Sequence, residues 1–135
     1  MNRRHQDWPE RLALFIDARR DRPFVWGDND CALAAADWIC CATGEDPAAG
    51  WRGKWDDARS AMFMLKQMGG IEAAVTAQLG RPHATVGLAG RGDIGLVRHE
   101  DRHTLGVVID AGLACPANQG LVVLPISSVS IAWPV

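Results

Sequence analysis

Cys31 follows a glycine turn and an acidic stretch in the run Trp26-Gly27-Asp28-Asn29-Asp30-Cys31-Ala32-Leu33, where a helical pattern begins. In the first turn of a helix, unpaired backbone amides and the helix dipole favour a thiolate, which lowers the thiol pKa and makes a nucleophile. The competing reading is a small buried hydrophobe, because free cysteine is among the most buried residue types. A nucleophile also needs a proton acceptor. Of the four histidines, His103 lies closest to an apolar strand pattern, His99 is a weaker substitute, and His5 and His83 read as surface residues. Asp30 suits an N-cap or turn acceptor better than a catalytic acid.

A second group with chemical potential is Trp51-Arg52-Gly53-Lys54-Trp55. Tryptophan and arginine together are enriched at interfaces, so Trp51, Arg52 and Trp55 form a candidate docking surface. The alternative is a loop pinned to the body by two indole rings. Trp8, Trp26, Trp38 and Trp133 stand in or beside apolar segments and are expected in the core, as are Met62, Met64 and Met68 near Phe63. The four cysteines, Cys31, Cys40, Cys41 and Cys115, include no CxxC pair, and no histidine pair has ligand spacing. Neither a metal site nor a cofactor is expected. A chain that folds where thiols stay reduced also has no use for a disulfide framework.

The elements that must position these residues follow from periodicity. Asp7 and Glu10 have capping-box spacing, and Pro9 to Arg20 reads as a first helix. Asp21-Arg22-Pro23 breaks it, Gly27 turns the chain, and Asn29 or Asp30 caps a second helix through Leu33, Ala34, Trp38 and Cys41 to Gly44. Asp56 or Asp57 caps a third helix that ends at Gly69-Gly70, and Ile71 to Leu79 forms a fourth. Thereafter apolar runs alternate with turn residues: 94–97, 105–109, 113–115, 121–124 and 131–133, with Gly92-Asp93 opening the first of them. Helices followed by strands predict an α+β domain, its N-terminal helices packed on a C-terminal antiparallel meandering sheet.

With 135 residues the chain suits a single domain, 1–135, and a net charge of −2 removes the electrostatic footprint expected of a nucleic-acid binder. No apolar run is long enough for membrane insertion, and the basic start, Met1-Asn2-Arg3-Arg4-His5, is not followed by the apolar core of a leader. Synthesis and folding in the cytoplasm are therefore expected.

From Phe24 to the end, the sequence resembles the NlpC-type cell-wall peptidases. The likeness rests on a Trp-Gly turn, Asp30-Cys31 at a helix start, Arg91-Gly92-Asp93-Ile94-Gly95-Leu96-Val97, and Leu105-Gly106-Val107-Val108-Ile109. The resemblance implies a papain-like fold in which Cys31 is the nucleophile and the peptide bonds of peptidoglycan stems are the substrate. A closer likeness, carried by 24–31 with Asp37-Trp38, Gly44, Asp46-Pro47-Ala48 and Trp51-Arg52-Gly53, is to short proteins of proteobacterial phages and prophages encoded near tail genes. It implies a virion protein of the tail tip, with other tail proteins as partners and peptidoglycan as a second one. The chain departs from the peptidase pattern where the general base belongs. Thr104 takes that position, His103 is offset by one residue and is expected on the opposite face, and the strand that should supply an orienting residue reads Leu113-Ala114-Cys115-Pro116, with Asn118 nearby. Losing general-base assistance costs roughly a hundred- to ten-thousandfold in rate. Two readings follow: a structural or adaptor component with an inactive site, or a thiol peptidase in which a bulge brings His103 to Cys31.

Overall fold

The computed structural model of the protein describes residues 4–135, so the first residues of the basic start, 1–3, lie outside the described residues. Four helices come first: α1 (Trp8–Arg19), α2 (Cys31–Thr43), α3 (Ala58–Gln67) and α4 (Ile71–Leu79). Five strands follow: β1 (Ile94–His99), β2 (Arg102–Ile109), β3 (Gly112–Ala117), β4 (Gly120–Leu124) and β5 (Val129–Trp133). Short 3-10 turns at Val86–Leu88 and Ile126–Ser128 were not foreseen in the sequence. The protein is therefore α+β, with one antiparallel sheet in the order β4-β3-β2-β1-β5. The first four strands meander, and β5 returns to the outer edge of β1.

Helix starts follow local side-chain chemistry. Asp30 caps α2, its carboxylate accepting from the Leu33 amide at 2.9 Å, and Gly44 closes the helix with φ 85°. The capping box expected at Asp7 and Glu10 does not form. Asp7 has φ −92° and ψ 24°, and its carboxylate turns instead to Arg11 Nε at 2.7 Å, one helical turn away. A capping box does occur at α3, where Asp57 and Ser60 satisfy each other's amides.

The sheet has two apolar faces. On one, Ile94, Leu96, Leu105, Val107 and Trp133 pack with Leu12, Ala35, Trp38 and Ile39 of the first two helices. On the other, Val97, Val108, Leu113, Cys115 and Val129 lie beneath Val86 and Ala89. Trp38 and Trp133 are fully buried, as expected, and each indole N–H has an acceptor: Gly92 O at 2.8 Å and Thr76 Oγ1 at 3.1 Å. Trp8 and Trp26 are only partly buried. Met62, expected as core, is instead exposed on α3 beside the exposed Phe63, because the helix turns Ala61 inward.

Alternation along β2 is set by packing across the sheet. Gly95 and Gly106 are directly opposed on β1 and β2, and Leu113 of β3 lies across both. A Cβ at Gly106 would stand 2.6 Å from Cys115 Sγ, so the absent side chain is what lets Leu113 and Cys115 cover this face. Odd-numbered residues of β2 consequently look towards the helices. No helix among the described residues is long and apolar enough to cross a membrane.

Candidate functional site

Cys31 is the first residue of α2, delivered by a tight turn whose backbone reverses at Gly27 with φ 81°. A side chain at Gly27 would collide with the carbonyl of Trp55, so the turn and the tryptophan loop meet there backbone to backbone. Asp30 organises the junction. One carboxylate oxygen accepts from Leu33 N, and the other accepts from Gly27 N at 3.0 Å and from the Trp55 indole at 2.7 Å. The helix-start amide and dipole thus already serve a buried carboxylate.

The surroundings of the sulfur work against the expected thiolate. Burial pushes the Cys31 thiol up to about 11, and the neighbouring Asp30 charge adds to the rise. The Leu105 and Ala32 amides and the Arg102 guanidinium pull the other way without offsetting it. The sulfur is protonated at neutral pH, although Cys31 as a whole is only partly buried and lines an open groove.

The influence of the Leu105 amide on the thiol follows from where β2 leaves β3. The register of β2 on β3 runs Ile109↔Gly112, Val108↔Leu113, Val107↔Ala114 and stops there, although β2 extends back to Arg102 and β3 on to Ala117. The next hydrogen-bonded pair would be Leu105 with Pro116, and proline has no N–H to give to the Leu105 carbonyl, so half of that pair cannot form. The strands part, which leaves the Leu105 amide on the side of the Cys31 thiol, whose pKa it lowers. The signal for this was in the sequence, since a proline inside a strand pattern marks an interruption of the ladder.

A groove of about 350 Å³ opens at the parted end. Cys31, His103, Thr104, Asn118, Asp30 and Trp55 all line it, so three candidates from different parts of the sequence, Cys31, His103 and Asn118, do meet in one place. The expectation that the one-residue offset turns His103 away from the helices is corrected. β1 and β2 stay in register through Val97↔Thr104 and Arg98↔His103 with no bulge, and His103 shares the face of Leu105, whose side chain packs on the helices. Thr104 has the opposite orientation. Among the described residues, no hydrogen bond joins Cys31 Sγ to an imidazole nitrogen. Asn118 is exposed in the β3–β4 turn and His99 lies at the β1–β2 turn.

The tryptophan loop is pinned to the body. Arg52 donates to Asp46 at 2.7 Å and to Asp37 at 2.7 Å, and Asp37 also holds Arg19 at 2.6 Å. These contacts raise the Arg52 pKa, chiefly through Asp46, and occupy the guanidinium that the interface reading needed. Trp51 lines a separate apolar cavity of about 100 Å³, which Trp55 borders as well. Only Trp55 of this trio belongs to the Cys31 groove.

Gly92 and Asp93 act far from the thiol's chemistry. Gly92 presents its carbonyl to Trp38, and a side chain there would meet the Arg4 guanidinium. Asp93, only 6 % exposed, accepts from Arg4 at 2.8 Å, Val135 N at 3.1 Å and Gly90 N at 2.9 Å. Its second oxygen also lies 2.9 Å from His83 Nε2, so His83 is not the free surface histidine expected from the sequence. Asp93 ties residues from both ends of the chain to the start of β1. Sequence reading missed this because Arg4, His83 and Val135 are far apart along the chain and share no motif.

No curated protein and no solved structure matches the chain. Residues 3–135 match a domain family of unknown function, DUF6950, and the chain belongs to that family.

Proposed function

We propose that the protein is a non-catalytic structural or adaptor component of a phage tail tip, built on a papain-like scaffold of the NlpC type. The observation that carries the non-catalytic reading is the setting of Cys31. Its sulfur sits among the Leu105 and Ala32 amides and the Arg102 guanidinium, all of them donors or cations, with Asp30 as the adjoining anion. None of these takes a proton from the thiol at neutral pH, and Asp30 has three donors of its own. The placement in a tail tip is supported by the sequence likeness of 24–31, 37–38 and 46–53 to short tail-associated phage proteins. An α+β order with a cysteine opening a helix packed on the sheet is compatible with the scaffold.

One observation favours a second reading, a thiol peptidase acting on peptidoglycan stems: His103 and Cys31 line the same groove, with Asn118 at its end. Digestion of purified peptidoglycan separates the two. The adaptor reading expects no stem peptides from the wild type beyond those from Cys31→Ala, whereas wild-type release that the variant loses establishes the peptidase. Mass spectrometry of purified virions tests the location, and absence of the chain from complete particles would refute it.

A further inference from the structure

The groove at the parted end of the sheet has features that catalysis does not require. Because odd residues of β2 direct their main-chain groups towards β3, the N–H and C=O of His103 face the gap that Pro116 keeps open. Asn118 and Gln119 stand across that gap with side-chain amides. The opposite wall is apolar, made by Trp55, Met64 and Met68, and methionine-rich walls adapt to varied side chains. At the outer end, the Arg102 guanidinium lies over Phe24 at 5.4 Å and Trp26 at 5.3 Å, held in place by two rings yet exposed. Of the groove's two acids, Asp30 is held by its three donors, and Glu100 is 80 % exposed, 3.7 Å from His99. Among the described residues Arg102 rests on two rings and forms no salt bridge, so its guanidinium is open to a carboxylate from a ligand.

We infer that this groove receives an extended polypeptide strand from a partner protein, paired to the main chain of His103, with an apolar side chain against Trp55 and Met64 and an acidic one on Arg102. The mode is strand addition at a sheet interruption, in which main-chain bonds give affinity and alternate side chains give selectivity. A volume of about 350 Å³ suits a few residues of such a strand, not a folded domain. The inference rests on the adaptor reading for the identity of the partner as a protein, and on the groove alone for its chemistry.

The test uses the full chain, isotope-labelled for NMR, and end-capped hexapeptides acetyl-Thr-Val-X-Val-Glu-Thr-amide with X as Leu, Met or Phe. Binding is expected to shift the His103 and Leu105 amide signals and the Trp55 indole signal. Methylation of successive peptide nitrogens should weaken binding about tenfold at alternate positions only, the period of a paired strand. Arg102→Glu should lose the Glu peptide and gain the corresponding Lys peptide, with Arg102→Gln, checked for folding by circular dichroism, weakening the Glu peptide and bringing the two affinities together. Sensitivity to methylation without a two-residue period overturns strand pairing, and no binding by any peptide at about 1 mM overturns the site. A protein found in virions that ignores every peptide refutes this groove assignment and leaves the adaptor reading standing. Peptide binding by a protein absent from virions does the reverse.

Discussion

The Asp30 carboxylate accepts the indole N–H of Trp55 at 2.7 Å, so the cap of the cysteine-bearing helix is also the anchor of the tryptophan loop. Two substitutions separate these roles. Trp55→Phe keeps most of the ring and removes one bond to a charged group, at a cost of about 1–2 kcal/mol. Asp30→Ala removes the cap and leaves Gly27 N, Leu33 N and Trp55 Nε1 without their acceptor, a loss of about 3 kcal/mol or more. Urea denaturation measures both. Equal losses would mean that the loop bond, and not the cap, carries the junction.

Alkylation reports the state of Cys31 directly. With its thiol pushed up to about 11, modification of the folded protein by iodoacetamide should stay slow at pH 7–8 and accelerate only towards pH 11. Cys31→Ala identifies the contribution of this sulfur by difference. A reaction already near its maximum rate at pH 7.5 would show a thiolate, and with it a nucleophile.

Burial of thiols also links stability to pH. Cys115, fully buried, is pushed from the ordinary 9.0 up to about 12, first by burial and then by the nearby Cys31 charge. A pKa raised on folding means that the unfolded chain ionises first, so the stabilisation is intact below pH 9 and is lost as pH climbs from 9 towards 12. The expected fall is on the order of a few kcal/mol. Cys115→Ala should show a flatter decline in urea midpoint over that window than the wild type. Parallel slopes would place the alkaline transition elsewhere.

How much of this was legible in the sequence depends on the range of the interaction. The helix starts at Asp30 and Asp57, the stop at Gly44 and the five strand runs are written in neighbouring residues, and the α+β order follows from them. The Cys31 turn was found for the same reason, but its chemistry was misjudged. Whether a helix-start amide is free depends on the adjacent cap, and whether a thiol is hydrated depends on Leu105 and Arg102, more than seventy residues away. The facing of His103 depended on which parity of β2 the opposed glycines and Leu113 select. Neither is a property of a local pattern.

Asp93 illustrates the same limit from the other side. Read as a turn that opens the first strand, it is also the acceptor that holds Arg4, Val135, Gly90 and His83. Asp93→Ala leaves the Arg4 guanidinium, whose side chain is 15 % exposed, without its carboxylate and should cost about 3–5 kcal/mol. Asp93→Asn retains an acceptor and should cost less. A stability change below about 1 kcal/mol for Asp93→Ala, typical of an unremarkable surface position, would refute the hub.

Pro116 offers a way to close the sheet. Pro116→Ala restores a backbone N–H opposite Leu105, so the β2–β3 ladder is expected to extend by one hydrogen-bonded pair. The new bond contributes about 0.5–1.5 kcal/mol, while the freer unfolded chain gives back about 0.4–1 kcal/mol, leaving stability nearly unchanged. The informative readout is therefore local. The amide of residue 116 should be protected from hydrogen exchange, and the Leu105 amide should be drawn towards the carbonyl of residue 116 and away from the Cys31 thiol. Deprived of that donor, the thiol should titrate higher still and alkylate more slowly at a given pH. A residue-116 amide that exchanges freely, with unaltered Cys31 alkylation, would mean that something other than the missing proline N–H holds the strands apart.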